Sequence, residues 1–120
     1  MKINIKFTGT EADDALRAYA EEKVLAFAKL LPDEAMEASV CDIEFKQDAH
    51  HQSGDVCYAE VTLEAEGKVY RASKVEQTFE KAIDKVKDDV LQELRVEKQK
   101  NEHHFMKGAQ QVKEMMRSDN

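Results

Sequence analysis

The sequence has few of the residues that mark disulfide-bonded, fibrous or membrane-spanning proteins. Its 120 residues include two cysteines, four glycines, one proline and no tryptophan. Two cysteines exclude a disulfide-dense secreted fold, and the scarcity of glycine and proline excludes collagen-like and loop-dominated scaffolds. No apolar run approaches the roughly 18 residues that a membrane span needs. The alternating start MKINIKFTG is unlike a signal peptide. We therefore expect a cytoplasmic protein with one domain.

Basic residues are also fewer than acidic ones. The chain has 18 Lys and Arg against 25 Asp and Glu, which gives a net charge of −7. This balance argues against a general nucleic-acid binder, because contacts to phosphates need a positive surface. The charges are unevenly distributed, since residues 95–117 contain six basic and three acidic side chains. The positive field is therefore expected near the C-terminus.

The first part of the chain predicts a strand followed by a helix. Ile3, Ile5 and Phe7 alternate with polar residues, which is the period of a half-buried strand. Thr10 is predicted to cap the helix, because a threonine hydroxyl can accept hydrogen bonds from the first helical N–H groups. Pro32 is predicted to end the helix. Its apolar side comprises Ala12, Leu16, Tyr19, Ala20, Val24, Phe27, Leu30 and Leu31.

Three more strands and a second helix follow. Alternating apolar residues predict strands around 41–46, 57–64 and 69–74, and the short polar connections between them favour an antiparallel meander. From about Glu76 the period returns to 3.6, which predicts a helix that ends near Lys100. Residues 101–120 are interpreted as a flexible tail. The apolar stripe of this second helix comprises Phe79, Ala82, Ile83, Val86, Val90 and Leu94.

The predicted order β-α-β-β-β-α defines an α+β fold. The helix between the first two strands makes that pair parallel, with a right-handed crossover. Both helices have one apolar stripe, so we expect a two-layer sandwich in which a four-stranded sheet carries both helices on one face. The predicted domain covers residues 1–100, with the tail at 101–120. The other sheet face would expose Lys2, Asn4, Lys6, Asp42, Glu44, Lys46, Tyr58, Glu60, Thr62, Glu64 and Arg71.

Residues that could carry catalysis or bind a metal are few. Cys41 and Cys57 lie on predicted inward faces and are interpreted as small buried hydrophobes, since their spacing is not that of a redox pair. The adjacent pairs His50-His51 and His103-His104 splay apart, whereas a zinc site needs about four converging ligands. The sequence contains no phosphate-binding glycine loop. It therefore predicts no enzymatic activity, no metal, no cofactor and no small-molecule substrate.

The exposed side of the second helix is the candidate surface for contacts to nucleic acid. Opposite its apolar stripe lie Lys81, Lys85, Asp88, Gln92 and Arg95. This side is either an ordinary solvated helix face or a basic ridge that continues towards the tail. Composition leaves both interpretations open, because acidic residues interrupt the basic ones.

Five stretches follow one another in an order and spacing that are specific in combination. They are MKINIKFTG at 1–9, ALRAY at 15–19 followed by Lys23, HHQSGDV at 50–56, GKVYRA at 67–72, and AID at 82–84 followed by VKD at 86–88. Through these stretches, over about residues 1–100, the sequence resembles the short form of the ribosome hibernation-promoting factor family, also known as ribosome-associated inhibitor A.

The resemblance implies a non-enzymatic protein that binds the small ribosomal subunit near the decoding centre. Such a protein would block the mRNA and tRNA sites and silence translation in stress or stationary phase. Its implied partners are the rRNA and ribosomal proteins of the small subunit, in the cytoplasm and without a membrane. The rRNA-binding residues that the resemblance implies are Arg71, Lys74, Lys81, Lys85, Lys87, Arg95, Lys98 and Lys100, with His50 and His51 as secondary contacts.

A second hypothesis is a protein-interaction or regulatory module on the same fold, with little affinity for RNA. It rests on the net charge of −7 and on Asp89, Gln92 and Val96, which stand where the resembled family has basic residues. This hypothesis predicts an acidic exposed sheet face or a homodimer formed through a sheet edge.

Overall fold

The computed structural model describes the backbone of residues 1–47 and 56–118, and side chains as far as residue 103. His50 and His51 lie outside the described residues. The strands are β1 (Lys2–Thr8), β2 (Val40–Gln47), β3 (Cys57–Ala65) and β4 (Lys68–Glu76). The helices are α1 (Asp14–Val24), α2 (Asp33–Ala38) and α3 (Phe79–Ser118), and a 3-10 helix covers Leu25–Leu30.

The four strands form one sheet in their sequence order, β1-β2-β3-β4. β1 pairs with β2 in parallel, and β2, β3 and β4 form an antiparallel meander. The turn between β3 and β4 consists of Glu66 and Gly67, which both have positive φ angles as tight hairpins require. The predicted α+β fold and its sheet topology are confirmed.

The core lies between one face of this sheet and the helices α1 and α3. Alternate residues of each strand point into it, and Ile43, Phe45, Val61 and Leu63 are almost fully buried. The ring of Phe45 stacks on Phe7 at 5.6 Å and meets Phe79 edge to face at 5.5 Å. The predicted stripe of the second helix is buried from Ala82 onwards, and Phe79 packs against the cluster as a half-buried residue. The sheet's opposite face carries the polar strand residues.

The start of the first helix was predicted wrongly. The N-cap is Asp13 and not Thr10, and the Asp13 carboxylate accepts hydrogen bonds from the N–H groups of Ala15 and Leu16 at 2.9 and 3.2 Å. Aspartate is as good a cap as threonine, and here it stands three residues before the first buried position, Leu16.

The first helix is also shorter than its apolar stripe indicated. The α-helix ends at Val24 and the chain continues as the 3-10 helix, which still buries Phe27. Pro32 does end this segment, but it then precedes the short helix α2, which the sequence reasoning missed. Proline suits that place because a helix leaves its first N–H groups unpaired.

The last helix differs most from its prediction. α3 begins at Phe79, three residues after the predicted start, because β4 continues to Glu76. The Thr78 hydroxyl caps it by accepting a hydrogen bond from the Lys81 N–H at 3.2 Å. The helix does not end near Lys100 but continues to Ser118, a length of 40 residues or about 60 Å. No helix within the described part of the chain has the length and apolar content to cross a membrane.

Candidate nucleic-acid interface

The exposed side of α3 carries a row of cations. Lys81, Lys85 and Arg95 are all exposed opposite the buried stripe, and we call these three residues the cationic ridge. Lys81 and Lys85 are one turn apart, and Arg95 lies about 21 Å along the axis from Lys81. Asp88 and Gln92 are exposed on the same side, as predicted. The ridge therefore offers three cations on a rigid support, interrupted by one carboxylate.

Two cations on or beside the ridge form ion pairs with carboxylates of the same protein. The Lys85 Nζ lies 2.5 Å from a carboxylate oxygen of Glu76 at the end of β4. The Lys74 Nζ, also on β4, lies 3.7 Å from a carboxylate oxygen of Asp89 on α3, and both side chains are about half exposed. Both pairs link α3 to β4, and they show that Lys74 lies beside the ridge. Exposed ion pairs of this kind contribute little to stability, about 0–1 kcal/mol, so a phosphate can compete for the cation.

Two of the predicted contacts do not share a surface. Lys85 and Lys87 are two residues apart on a helix, so their side chains point in different directions. The Lys87 side chain is only 19% exposed, and its Nζ lies 2.9 Å from a carboxylate oxygen of Asp88. Removing Lys85 and Lys87 together would thus change two different surfaces. The ridge residues give a cleaner test.

Arg71 lies on the open face of the sheet, away from the helices. It is opposite Thr62 in the register, and its guanidinium donates to the Glu60 carboxylate at 2.9 Å. The Tyr58 hydroxyl donates to the same carboxylate at 2.6 Å. The hydrogen bond from Tyr58 and then the Arg71 guanidinium hold the pKa of Glu60 below its usual 4.5, although partial burial acts the other way. Arg71 is thus tied to its own sheet face, separate from the ridge.

The lowered pKa of Glu60 predicts a pH-dependent contribution to stability. Replacing Glu60 by Gln should reduce the free energy of unfolding by about 1 kcal/mol at pH 7, because Tyr58 and Arg71 lose a charged acceptor. A depressed carboxyl pKa stabilises the fold above the unfolded value near 4.5, and this contribution is lost as the pH falls through the folded value. The difference between wild type and Glu60→Gln in urea unfolding should therefore shrink below pH 4.5.

Glu64 provides the matched control for this measurement. It lies on the same strand and is exposed, with no ion pair to another described residue. Glu64→Gln should change stability little at any pH. A Glu60→Gln effect that stays constant down to pH 3 would contradict the assigned role of the Tyr58 and Arg71 contacts.

The remaining predicted cations lie on α3, C-terminal to the cationic ridge. Lys98 and Lys100 are exposed on α3 and make no ion pair with another described residue. Lys98 lines a cleft of about 440 Å³ together with Lys29, where α3 leaves the sheet. The sequence reasoning did not include Lys29, because no local pattern shows that the 3-10 helix lies beside α3.

A polar cluster joins the two long helices. The Tyr19 hydroxyl on α1 donates to both carboxylate oxygens of Asp84 on α3 at 2.9 Å, and the Lys23 Nζ lies 3.4 Å from the same group. The Asp84 carboxylate raises the pKa of Tyr19 and that of Lys23. Because this cluster bridges residues 65 positions apart in the chain, it fixes the orientation of α3, and hence of the ridge, relative to α1.

The two cysteines have the chemistry of structural residues. Both are free, and Cys41 is buried as predicted, whereas Cys57 is half-buried and its thiol contacts the Gln77 carbonyl. Burial raises the pKa of Cys41 to about 12 and also raises that of Cys57. A thiol with a raised pKa is a poor nucleophile and a poor metal ligand. Among the residues with described positions, no cluster of three or more His, Cys, Asp or Glu could hold a metal ion.

The open sheet face is balanced rather than acidic. Its strand residues include four cations, Lys2, Lys6, Lys46 and Arg71. They also include four carboxylates, Asp42, Glu44, Glu60 and Glu64. Lys6 pairs with Glu44 at 3.9 Å, and the Asn4 amide donates to Asp42 at 2.8 Å. The acidic sheet face that the protein-interaction hypothesis predicts is therefore not found on these strands.

The fold is similar to those of two solved structures. The N-terminal domain of Protein Y from Thermus thermophilus is 21% identical with a TM-score of 0.60, and the match covers 78% of this chain and 96% of that one. A ribosomal subunit interface protein from Coxiella burnetii is 19% identical with a TM-score of 0.66, covering 82% of this chain and 98% of that one. At these identities the likeness establishes the fold.

A comparison with protein-family profiles identifies the family in addition to the fold. A comparison with curated protein sequences finds no significant match. Residues 3–102, however, match the profile of one family. Among the described elements, this range covers the four strands except for Lys2, all of α1, and α3 from its start to residue 102 with the whole cationic ridge. The chain therefore belongs to the Sigma 54 modulation protein / S30EA ribosomal protein family.

Proposed function

We propose that this protein is a ribosome hibernation factor that binds the small ribosomal subunit near the decoding centre. In this role it occupies the mRNA and tRNA sites and silences translation in stress or stationary phase, in the cytoplasm. Membership of the S30EA ribosomal protein family supports a ribosome-bound role. The observation that carries the proposal is the cationic ridge, three exposed cations on the outer side of a helix that the core holds rigidly.

The ridge suits contacts to RNA phosphates rather than to bases. Lysine and arginine at fixed positions along about 21 Å of helix can contact several phosphates without reading sequence. Each phosphate contact releases counterions, so affinity falls steeply as salt rises. The net charge of −7 works against binding at long range, which makes a locally positive surface necessary. Inhibition then needs no catalytic group, because the bound domain excludes mRNA and tRNA by its volume.

Co-sedimentation with vacant small subunits across a salt series tests the proposal. We expect stoichiometric pelleting at low salt that declines as salt rises, and competition with mRNA and tRNA for the subunit. Inhibition of translation in a cell-free system should follow the same salt dependence. An absence of pelleting even at low salt, or binding that mRNA and tRNA do not displace, would contradict the proposed site.

Removing Asp89 should strengthen binding. Asp89→Asn releases the Lys74 ammonium from its ion pair and removes one negative charge next to the ridge. We expect the dissociation constant for the small subunit to fall by about three-fold at moderate salt, with a slightly steeper salt dependence. Asp42→Asn on the open sheet face changes the net charge equally and serves as the control. Equal effects of the two substitutions would show that total charge, not the surface around α3, governs affinity.

A further inference from the structure

One edge of the sheet is available for a further strand. β4 pairs with β3 on one side, and no described strand pairs with its other side. An unpaired edge of nine residues presents a row of N–H and C=O groups that can pair with another chain. Val69 on this strand is 64% exposed, the highest value for a large hydrophobic residue in the described part of the chain. The edge thus combines free hydrogen-bonding groups with exposed apolar surface.

We propose that the edge of β4 is a homodimer interface, in which β4 of two copies pairs antiparallel about a two-fold axis at Ala72. The two four-stranded sheets then become one continuous sheet. This proposal does not depend on ribosome binding, and it names a second copy of this chain as the partner.

The sequence of β4 is complementary to itself in this arrangement. Opposite residues in an antiparallel pair lie on the same face, so only registers that keep the alternation are possible. Full overlap places Lys68 opposite Glu76 of the second copy, which is a favourable pair of opposite charges. A shift of the second copy by two residues in one direction would place Lys68 opposite Lys74 and Arg71 opposite itself. A shift in the other direction would leave Lys68 and Val69 without partners in β4. In the full register the facing pairs are Lys68 with Glu76, Val69 with Val75, Tyr70 with Lys74, Arg71 with Ser73, and Ala72 with Ala72.

The charges at the ends of the strand extend this complementarity. In each copy Lys68 forms an ion pair with Glu97 of α3, and Glu76 forms one with Lys85. Pairing of the two edges brings Lys68 next to Glu76 of the second copy, so the order of charges becomes Lys85, Glu76, Lys68, Glu97 across the interface. Because the signs alternate, the dimer can form without breaking the existing ion pairs.

The position of α3 is compatible with the same axis. α3 packs over β3 and β4 and runs antiparallel to β4, as the pairs of Lys74 with Asp89 and Lys68 with Glu97 show. Strands are about 4.8 Å apart, so a helix above β3 and β4 lies about 5 Å from the axis and about 10 Å from its symmetry mate. Helices pack at 8–10 Å. Val96, which is 42% exposed and seven residues after Asp89, lies on the flank that would be covered.

Sedimentation velocity in the absence of RNA tests the proposal, over a range from a few micromolar to several hundred micromolar protein. We expect the mass to rise with concentration from 13.7 kDa to twice that value. Two double variants then test the register. Val69→Lys with Val75→Lys places like charges opposite each other, and Val69→Glu with Val75→Glu does the same with the opposite sign. Each should be monomeric alone, and an equimolar mixture of the two should form a heterodimer.

Three controls keep the result interpretable. Val69→Lys alone, at a highly exposed position, should weaken the dimer without affecting the fold. Leu25→Lys removes another exposed apolar side chain, 52% exposed and outside β4, and should leave the dimer unchanged. Thermal unfolding of every variant reports whether it is folded. A wild-type protein that stays monomeric over the whole range, a dimer that persists in the lysine variant, or folded double variants that fail to associate on mixing would each overturn the proposal.

Discussion

Replacing Lys81, Lys85 and Arg95 together by glutamine is expected to lower the affinity for the small ribosomal subunit by on the order of 100-fold at moderate salt. Each side chain is exposed, so the fold should be retained. Each neutral substitution removes one phosphate contact, and the slope of log affinity against log salt should become shallower by about two to three units. Co-sedimentation or fluorescence anisotropy at several salt concentrations measures both quantities.

The sheet provides a matched control for this triple variant. Lys2, Lys6 and Lys46 are exposed cations on the open face, remote from the ridge. Replacing them by glutamine lowers the net charge of the protein by the same amount. We expect this control to lose only a few-fold in affinity through the long-range field. Equal losses in the two variants would show that α3 does not form the contact surface, and an unchanged affinity in the ridge variant would contradict the proposed interface.

Phe45→Ala is expected to give the largest loss of stability, about 3–5 kcal/mol. Phe45 is fully buried at the centre of the sheet, and its ring contacts Phe7 on the neighbouring strand and Phe79 at the start of α3. Truncation leaves a cavity that three different elements would have to close. Since small domains are stable by only about 5–15 kcal/mol, a partly unfolded population at 37 °C is expected. Urea unfolding monitored by circular dichroism measures the change in the free energy of unfolding.

Leu25→Ala is the corresponding control for packing. Leu25 is also a large apolar residue, but it is mostly exposed on the 3-10 helix. Its truncation should change stability by no more than about 0.5 kcal/mol. A Phe45→Ala effect below about 1 kcal/mol would mean that the aromatic cluster is not the centre of the core.

The strands could be predicted from the sequence because their pattern is local. Residues such as Ile43 and Phe45 alternate with polar neighbours, and a strand turns successive side chains to opposite faces. Glu66-Gly67 marks a tight hairpin, and the helical stripe from Ala82 to Leu94 can lie against the sheet only on its apolar side. Together these signals were enough to predict the sheet order and the layer of helices.

Helix ends were predicted less well, because several residues can satisfy the same local requirement. Thr10 and Asp13 are both good caps, and only the packing of Leu16 in the core selects Asp13. Pro32 signals an end, but the same proline also suits the start of α2. The continuation of α3 to Ser118 has no strong local stop signal to oppose it, since Gly108 is its only glycine and it contains no proline.

The sequence by itself determined the fold class, the faces of the sheet and the exposed side of α3, because each depends on the periodicity of neighbouring residues. The prediction nevertheless grouped Lys85 and Lys87 as contacts to rRNA, although side chains two residues apart on a helix with 3.6 residues per turn point in different directions. Only the tertiary structure decided which acids hold Lys74, Lys85 and Arg71. Those pairs join segments that are distant in sequence, and they form because packing of the apolar faces brings β4 beside α3 and β3. The cations available for RNA therefore depend on the assembled fold and cannot be counted along the chain.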